Sequence, residues 1–149
     1  MPLVENIRGE LTAALRSGDT KRRDTLRLVI AGFDNERIRL GHPLADDEAL
    51  AVLRREAKQR RESIEEFQKG GRADLVAVEQ GELEIISSYL PAELSDDELQ
   101  RAAREVIATM GASGPGDIGK VMGPLMQHLA GRADGRRVNA LVRELLAAG

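Results

Sequence analysis

Five basic side chains near the carboxyl end are the residues of this sequence best suited to bind a charged ligand. They are Lys120, Arg132, Arg136, Arg137 and Arg143. Lysine and arginine neutralise phosphate charge and donate hydrogen bonds to phosphate oxygens. Residues 101–149 carry a net charge of +3, whereas residues 1–100 carry −6. We therefore expect these five residues to contact a phosphate backbone, although the net charge of the whole chain is −3.

A glycine-rich segment, 114–121, has the spacing G-x-G-x-x-G and comes within one residue of a phosphate-binding P-loop. A dinucleotide-binding loop follows a strand and needs an acidic residue about 20 positions later. Here a helix is predicted before the segment, and position 139 is Asn. A P-loop needs a hydroxyl to hold magnesium, and Val121 has none. The segment predicts instead a helix start, where free N–H groups together with Lys120 can hold a single phosphate oxygen.

Side chains suited to catalysis or metal binding are few. The sequence has no cysteine, and its two histidines, His42 and His128, lie far apart and outside any spaced ligand pattern. No sequence signature around Ser63, Ser87 or Ser88 supplies a base that would activate the hydroxyl. We therefore expect no metal, no cofactor and no catalytic residue.

The composition also limits how the chain can bind nucleic acid. With two phenylalanines, one tyrosine and no tryptophan, the chain cannot build the aromatic platforms on which single-stranded bases stack. Any RNA recognition must use shape and backbone. A second group of basic residues crowds the predicted third helix, but acids four positions away, as in Lys58–Glu62, predict a salt-bridged solvent face there. These basic residues are Arg54, Arg55, Lys58, Arg60 and Arg61.

The elements that position these residues are predicted to be helices throughout. Apolar residues recur at helical spacing, and alternating strand patterns are missing, which indicates an all-α chain. Four helices are predicted at about 3–16, 20–40, 46–69 and 74–90, and Pro91 ends the fourth. Ser95 and Glu98 form a capping-box pattern, which predicts the start of a fifth helix that reaches about Met110. A sixth helix is predicted to begin near Asp117. A seventh is predicted to follow residues 131–135 and to end near Ala147. We therefore divide the chain into an N-terminal helical subdomain, 1–91, and a C-terminal three-helix tail subdomain, 92–149.

Membrane association is not expected. No charge-free run exceeds 11 residues, the length of 121–131, whereas a spanning helix needs about 20. At the amino end Glu5, Arg8 and Glu10 interrupt the apolar residues that a signal peptide would need. These features predict a cytoplasmic protein.

Several segments carry a resemblance to a known family. They are Thr25-Leu26-Arg27, the stretch 58–67, Tyr89-Leu90-Pro91, Gly119-Lys120-Val121-Met122-Gly123, and Gly131-Arg132-Ala133-Asp134-Gly135 with Val138-Asn139. They occur in order over nearly the whole length, and the chain resembles a free-standing YqeY protein of the GatB/YqeY family. The resemblance implies an all-α fold with a small helical tail. Pro124 departs from the family pattern, and we expect the sixth helix to kink or restart there.

The resemblance also implies a function. The tail is similar to the C-terminal domain of the B subunit of the glutamine-dependent tRNA amidotransferase, where it contacts the tRNA body near the D-loop, whereas the transamidation chemistry belongs to a domain that this chain lacks. This implies a tRNA-binding accessory protein without catalysis of its own, with tRNA and a tRNA amidotransferase or aminoacyl-tRNA enzyme as partners. Two alternatives stay open: carbon–nitrogen ligase activity with glutamine as amido-N-donor, which the family also implies, and a helical protein–protein adaptor.

Overall fold

Helices make up the architecture of the computed structural model, which describes residues 2–148. They are α1 (Leu3–Ser17), α2 (Thr20–Leu40), α3 (Asp46–Lys69), α4 (Ala73–Ser87), α5 (Asp96–Met110), α6 (Ile118–Leu129) and α7 (Gly135–Ala148), and a short 3₁₀ turn, Pro115–Asp117, precedes α6. No strand occurs in residues 2–148, so the all-α prediction is confirmed. None of these helices is both long and apolar enough to cross a membrane.

The helices pack into two compact units, Met1–Pro91 and Ala92–Gly149, which we call the N-terminal unit and the tail unit. In the N-terminal unit α3 packs along α4, and α1 packs along α2. Each unit has its own apolar core. The N-terminal core contains Ile7, Leu26, Val29, Phe33, Leu53 and Ile86, and the tail core contains Leu99, Val121, Leu125, Val138 and Val142.

Local signals fix most helix ends. Gly18 and Gly41 follow α1 and α2 with φ of 77° and 79°, the left-handed conformation that glycine adopts without a steric penalty. At α5 the predicted capping box forms, because Ser95 Oγ accepts from the Glu98 amide at 3.2 Å while Glu98 Oε1 accepts from the Ser95 amide at 3.3 Å. These ends depend on residues next to the helix, which is why the predicted bounds lie close to the observed ones.

Pro124 does not interrupt α6, so the expectation that the helix restarts there is wrong. The helix runs continuously from Ile118 to Leu129 with Pro124 inside it. Proline has no N–H to donate to the carbonyl of Lys120 one turn earlier. Because both Pro124 and Lys120 are exposed, water can hydrogen-bond to that carbonyl and the helix continues.

Arg60 differs from the prediction that the basic residues of α3 form a solvent face. It is 8% exposed and lies between α3 and α4. Its guanidinium is 2.5 Å from Glu56, 3.0 Å from Glu82 and 4.0 Å from Glu79. Burial, together with the neighbouring charge of Glu82, raises the pKa of Glu79 above its ordinary value. One arginine therefore joins the two helices by balancing part of the charge of three partly buried carboxylates.

Replacing Arg60 by Met should destabilise the N-terminal unit by about 3 kcal/mol at pH 7, because the three carboxylates would lose their cation. The loss should be smaller at pH 5, because Glu79, whose pKa is raised, takes up a proton more readily there and needs a cation less. Urea unfolding followed by the fluorescence of Tyr89, the single tyrosine, measures this unit. Arg61→Met, at an exposed position, is the matched control, and equal stability of the two variants would contradict the structural role of Arg60.

Candidate nucleic-acid interface

Two of the five predicted cations are held by the chain segment that precedes α5. Arg137 donates to the Leu94 carbonyl at 3.0 Å and to the Asp96 carboxylate at 2.5 Å. Arg132 donates through Nε to the Ala92 carbonyl at 3.1 Å, and its own carbonyl accepts from the Leu94 amide at 2.9 Å. These arginines therefore fasten residues 92–96 to the rest of the tail unit, and their hydrogen-bonding capacity is partly used.

Two other cations share an exposed face of α7. Arg136 and Arg143 are seven residues apart, which is two helical turns, and Val138 and Val142 turn toward the core on the other side. Arg143 donates to the amide oxygen of Asn139 at 2.7 Å, a neutral partner. The Arg136 side chain makes no ion pair or hydrogen bond with any residue of the described range 2–148. This pair, which we call the α7 face, presents positive charge to solvent.

Lys120 lies in the first turn of α6. Its ammonium is 3.5 Å from Asp117, and its side chain is 64% exposed. The Ser113 amide also donates to Asp117 at 2.9 Å, and this hydrogen bond, with the charge of Lys120, lowers the pKa of that carboxyl. Lys120 is thus accessible but pairs with a local acid, in an arrangement that contributes little to stability at a solvent-exposed position.

The positive charge of the carboxyl-terminal stretch is local and does not extend over the whole tail unit. Residues 92–149 contain seven basic and eight acidic residues. Four of these acids, at positions 93 to 98, precede the stretch 101–149, whose net charge is +3. One of the four, Asp96, pairs with Arg137. Only specific faces of the tail unit, such as the α7 face, can therefore attract phosphates.

Sequence reasoning missed a cleft of about 390 Å³ between α5 and the end of α6. Its polar lining residues include Glu98, Arg101, Glu105, His128 and Arg132. Hydrogen bonds from Ser95, assisted by the charges of Arg132 and Arg101, lower the pKa of Glu98. The helical spacing of Glu98, Arg101 and Glu105 predicts that these three side chains share one face of α5. No nearby residue in the sequence indicates that the end of α6 lies beside that face. Because two carboxylates share this cleft with two arginines, it is less suited to phosphate than the α7 face.

Within residues 2–148, histidines and acids do not converge on a metal site. Among the described residues, no group of three or more potential ligand side chains is placed to hold a metal ion. His42 in the N-terminal unit lies 3.6 Å from Glu48, and His128 lines the cleft of the tail unit.

Comparison with known proteins identifies the family. Residues 4–146 match the family described as Yqey-like protein. The chain belongs to the YqeY-like family. A relative from Pyrenophora tritici-repentis, "Altered inheritance of mitochondria protein 41, mitochondrial", is 30% identical over 153 residues, covering 98% of this chain and 82% of the relative. A protein of the same name from Lachancea thermotolerans is 39% identical over 58% of this chain and 47% of its own length. Another, from Saccharomyces cerevisiae, is 29% identical over 82% of this chain and 69% of its own length. The resemblance found in the sequence is confirmed.

Replacing Arg137 by Met should loosen residues 92–96, because the Leu94 carbonyl and the Asp96 carboxylate lose a charged donor. We expect the free energy of local opening of this segment to fall by about 1.5 kcal/mol. This fall corresponds to about tenfold faster hydrogen exchange at the Leu94 amide, measured by NMR. Arg136→Met is the matched control one residue away and should leave that exchange rate unchanged. If both variants exchanged alike, Arg137 would not fasten the segment.

Proposed function

We propose that this YqeY-family protein is a tRNA-binding accessory protein whose α7 face holds the tRNA phosphate backbone, with Lys120 as a third contact. The observation that carries the proposal is that Arg136 and Arg143 share one exposed helix face without a carboxylate partner among the described residues. The family supports it, because the tail of the related amidotransferase subunit contacts tRNA. Acting beside a tRNA amidotransferase or an aminoacyl-tRNA enzyme is part of the same proposal.

The pairing of each cation decides how easily it can bind phosphate. Arg136 can exchange water for a phosphate oxygen without breaking an ion pair, and Arg143 gives up only a hydrogen bond to a neutral amide. Lys120 has to exchange Asp117 for phosphate. Arg132 and Arg137 would have to release residues 92–96 to use their full donor capacity. The five predicted residues are therefore unequal, and Arg136 and Arg143 are the principal contacts.

The distribution of aromatic residues favours recognition of the backbone over recognition of bases. The three aromatic residues, Phe33, Phe67 and Tyr89, all belong to the N-terminal unit. Phe33 is buried, and the Tyr89 hydroxyl is bonded to Glu10 and Arg22. The tail unit therefore offers cations but no phenylalanine, tyrosine or tryptophan for base stacking, which suits binding to the shape of a folded RNA.

The cytoplasmic location expected from the sequence remains a prediction. The relatives carry a mitochondrial designation in their names. The proposed role requires only a compartment that contains tRNA.

A salt series tests the proposal. Retention of a transcribed tRNA on filters should weaken with salt, and log affinity against log salt should have a slope of about −3 for three phosphate contacts. Arg136→Ala combined with Arg143→Ala should weaken binding and reduce the magnitude of the slope by about 2, one for each lost contact.

Matched controls separate this effect from loss of net charge. Arg16→Ala combined with Arg61→Ala removes the same charge from exposed positions of the N-terminal unit and should leave the slope unchanged. An unstructured RNA of equal length should bind more weakly than tRNA. Equal losses in the two double variants, or no retention at low salt, would refute tRNA binding by the α7 face.

A further inference from the structure

The N-terminal unit contains a groove of about 500 Å³ between α2 and α4, for which the proposed RNA role has no use. Its apolar wall consists of Ala77, Val78 and Ile85 of α4, and Val78 is 58% exposed although its spacing places it on the apolar stripe of that helix. Gly81 completes the wall, and a Cβ added there would meet no heavy atom within 4 Å. The groove is therefore open beside this glycine, and its volume is typical of small-molecule sites, which span about 300–1,000 Å³.

Thr25 supplies an unused hydrogen-bonding group in this groove. The residue is 2% exposed and lines the groove from α2. Its hydroxyl makes no hydrogen bond to any of residues 2–148. No side-chain nitrogen or oxygen in this range is completely buried without a hydrogen-bond partner, so the Thr25 hydroxyl keeps some contact with solvent. Thr25 lines the groove, so the small exposed part of this residue faces it and the hydroxyl is the polar group of the Thr25 side chain. Because a largely buried hydroxyl without a partner is costly, a ligand that hydrogen-bonds to Thr25 would gain free energy.

The charged residues around the groove favour a cation. Four of the lining side chains are acidic and two are basic: Asp19, Asp24, Glu82 and Glu84 against Lys21 and Arg22. The Arg22 guanidinium is already occupied, since it lies 2.5 Å from Glu10 and 2.6 Å from the Tyr89 hydroxyl. Two of the acids are engaged as well, because Asp24 pairs with Arg23 at 2.9 Å and Asp19 accepts from the Arg22 amide at 3.1 Å. Glu84 is exposed and makes no ion pair with any other described residue.

The surroundings increase this excess of acid. Glu82 shares Arg60 with Glu56 and Glu79, so three carboxylates there face one cation. The raised pKa of Glu79, caused by burial and by the charge of Glu82, agrees with an excess of negative charge beside the groove.

We propose that this groove binds a small organic cation that has an ammonium group on a compact apolar body. The ammonium donates a hydrogen bond to the Thr25 hydroxyl and is attracted by Glu84, while the apolar body covers Val78 and Ile85. Anions are disfavoured by the surrounding carboxylates, and neutral compounds gain only the apolar contact.

Titration of the full-length ¹⁵N-labelled chain with three probes of similar shape tests the proposal by NMR. The probes are cyclohexylmethylamine, neutral cyclohexylmethanol and anionic cyclohexylacetate. The amine should shift the amide signals of Thr25 and Gly81, and the alcohol should bind up to about fivefold more weakly because it lacks one charge interaction. The anion should bind most weakly. No shift of these two signals with the amine, or equal binding of the three probes, would overturn the proposal.

Variants locate the binding and separate it from unfolding. Gly81→Leu fills the groove and should abolish amine binding, whereas Gly9→Leu, at an open helical position of α1, should leave binding unchanged. Leucine favours helix more than glycine does, so both variants are expected to fold. Glu84→Gln should weaken binding of the amine by up to about fivefold and leave the alcohol unaffected. Amine binding that survives Gly81→Leu would place the site elsewhere and refute the proposal, whatever the outcome of the tRNA experiments.

Discussion

Pairing of arginines with acids inside each unit is the constraint on which the rest of this structure depends. The chain has 25 acidic and 22 basic residues, and several arginines pair with carboxylates of neighbouring helices, as Arg8 does with Asp34 and Arg55 with Glu36. Arg60 balances charge between α3 and α4, and Arg137 binds residues 94 and 96 of the tail unit. An exposed helix face whose cations lack carboxylate partners can bind phosphate without breaking an ion pair. The α7 face is such a place, and this is why it carries the functional proposal.

A second network organises the N-terminal unit around its single tyrosine. The Tyr89 hydroxyl and the Arg22 guanidinium both bond to the Glu10 carboxylate, which joins α1, α2 and the residues after α4. Burial, with the hydrogen bond to Glu10, raises the pKa of Tyr89 to about 12, whereas the hydrogen bonds from Tyr89 and Arg22 lower the pKa of Glu10. A carboxyl whose pKa falls on folding stabilises the folded state above its ordinary pKa, and this contribution is lost as the pH falls through the folded-state value. The same network holds Arg22 at the edge of the groove between α2 and α4, where its guanidinium donates to Glu10.

The sequence could predict helices better than it could predict the side chains that helices bring together. Bounds such as those of α2 follow from residues beside the helix, including the Asp19 cap and Gly41. Helical spacing places Arg60, unlike Arg61, on the apolar stripe of α3 between Ala57 and Ile64. Its partner Glu82 lies 22 residues away on α4, and no local pattern indicates that contact. Arg137 likewise contacts Leu94, 43 residues earlier, so a count of basic residues could not separate it from Arg136. Charge composition indicated a basic stretch, but only packing shows which of its members are engaged.

Mass-spectrometric mapping of arginine modification by phenylglyoxal, with and without tRNA, tests the central claim most directly. In the free protein Arg136 and Arg143 should react quickly, whereas the buried Arg60 should react slowly. Added tRNA should protect Arg136 and Arg143 and leave the exposed Arg16 unchanged. Unchanged reactivity of Arg136 and Arg143 at saturating tRNA would show that the α7 face does not bind it.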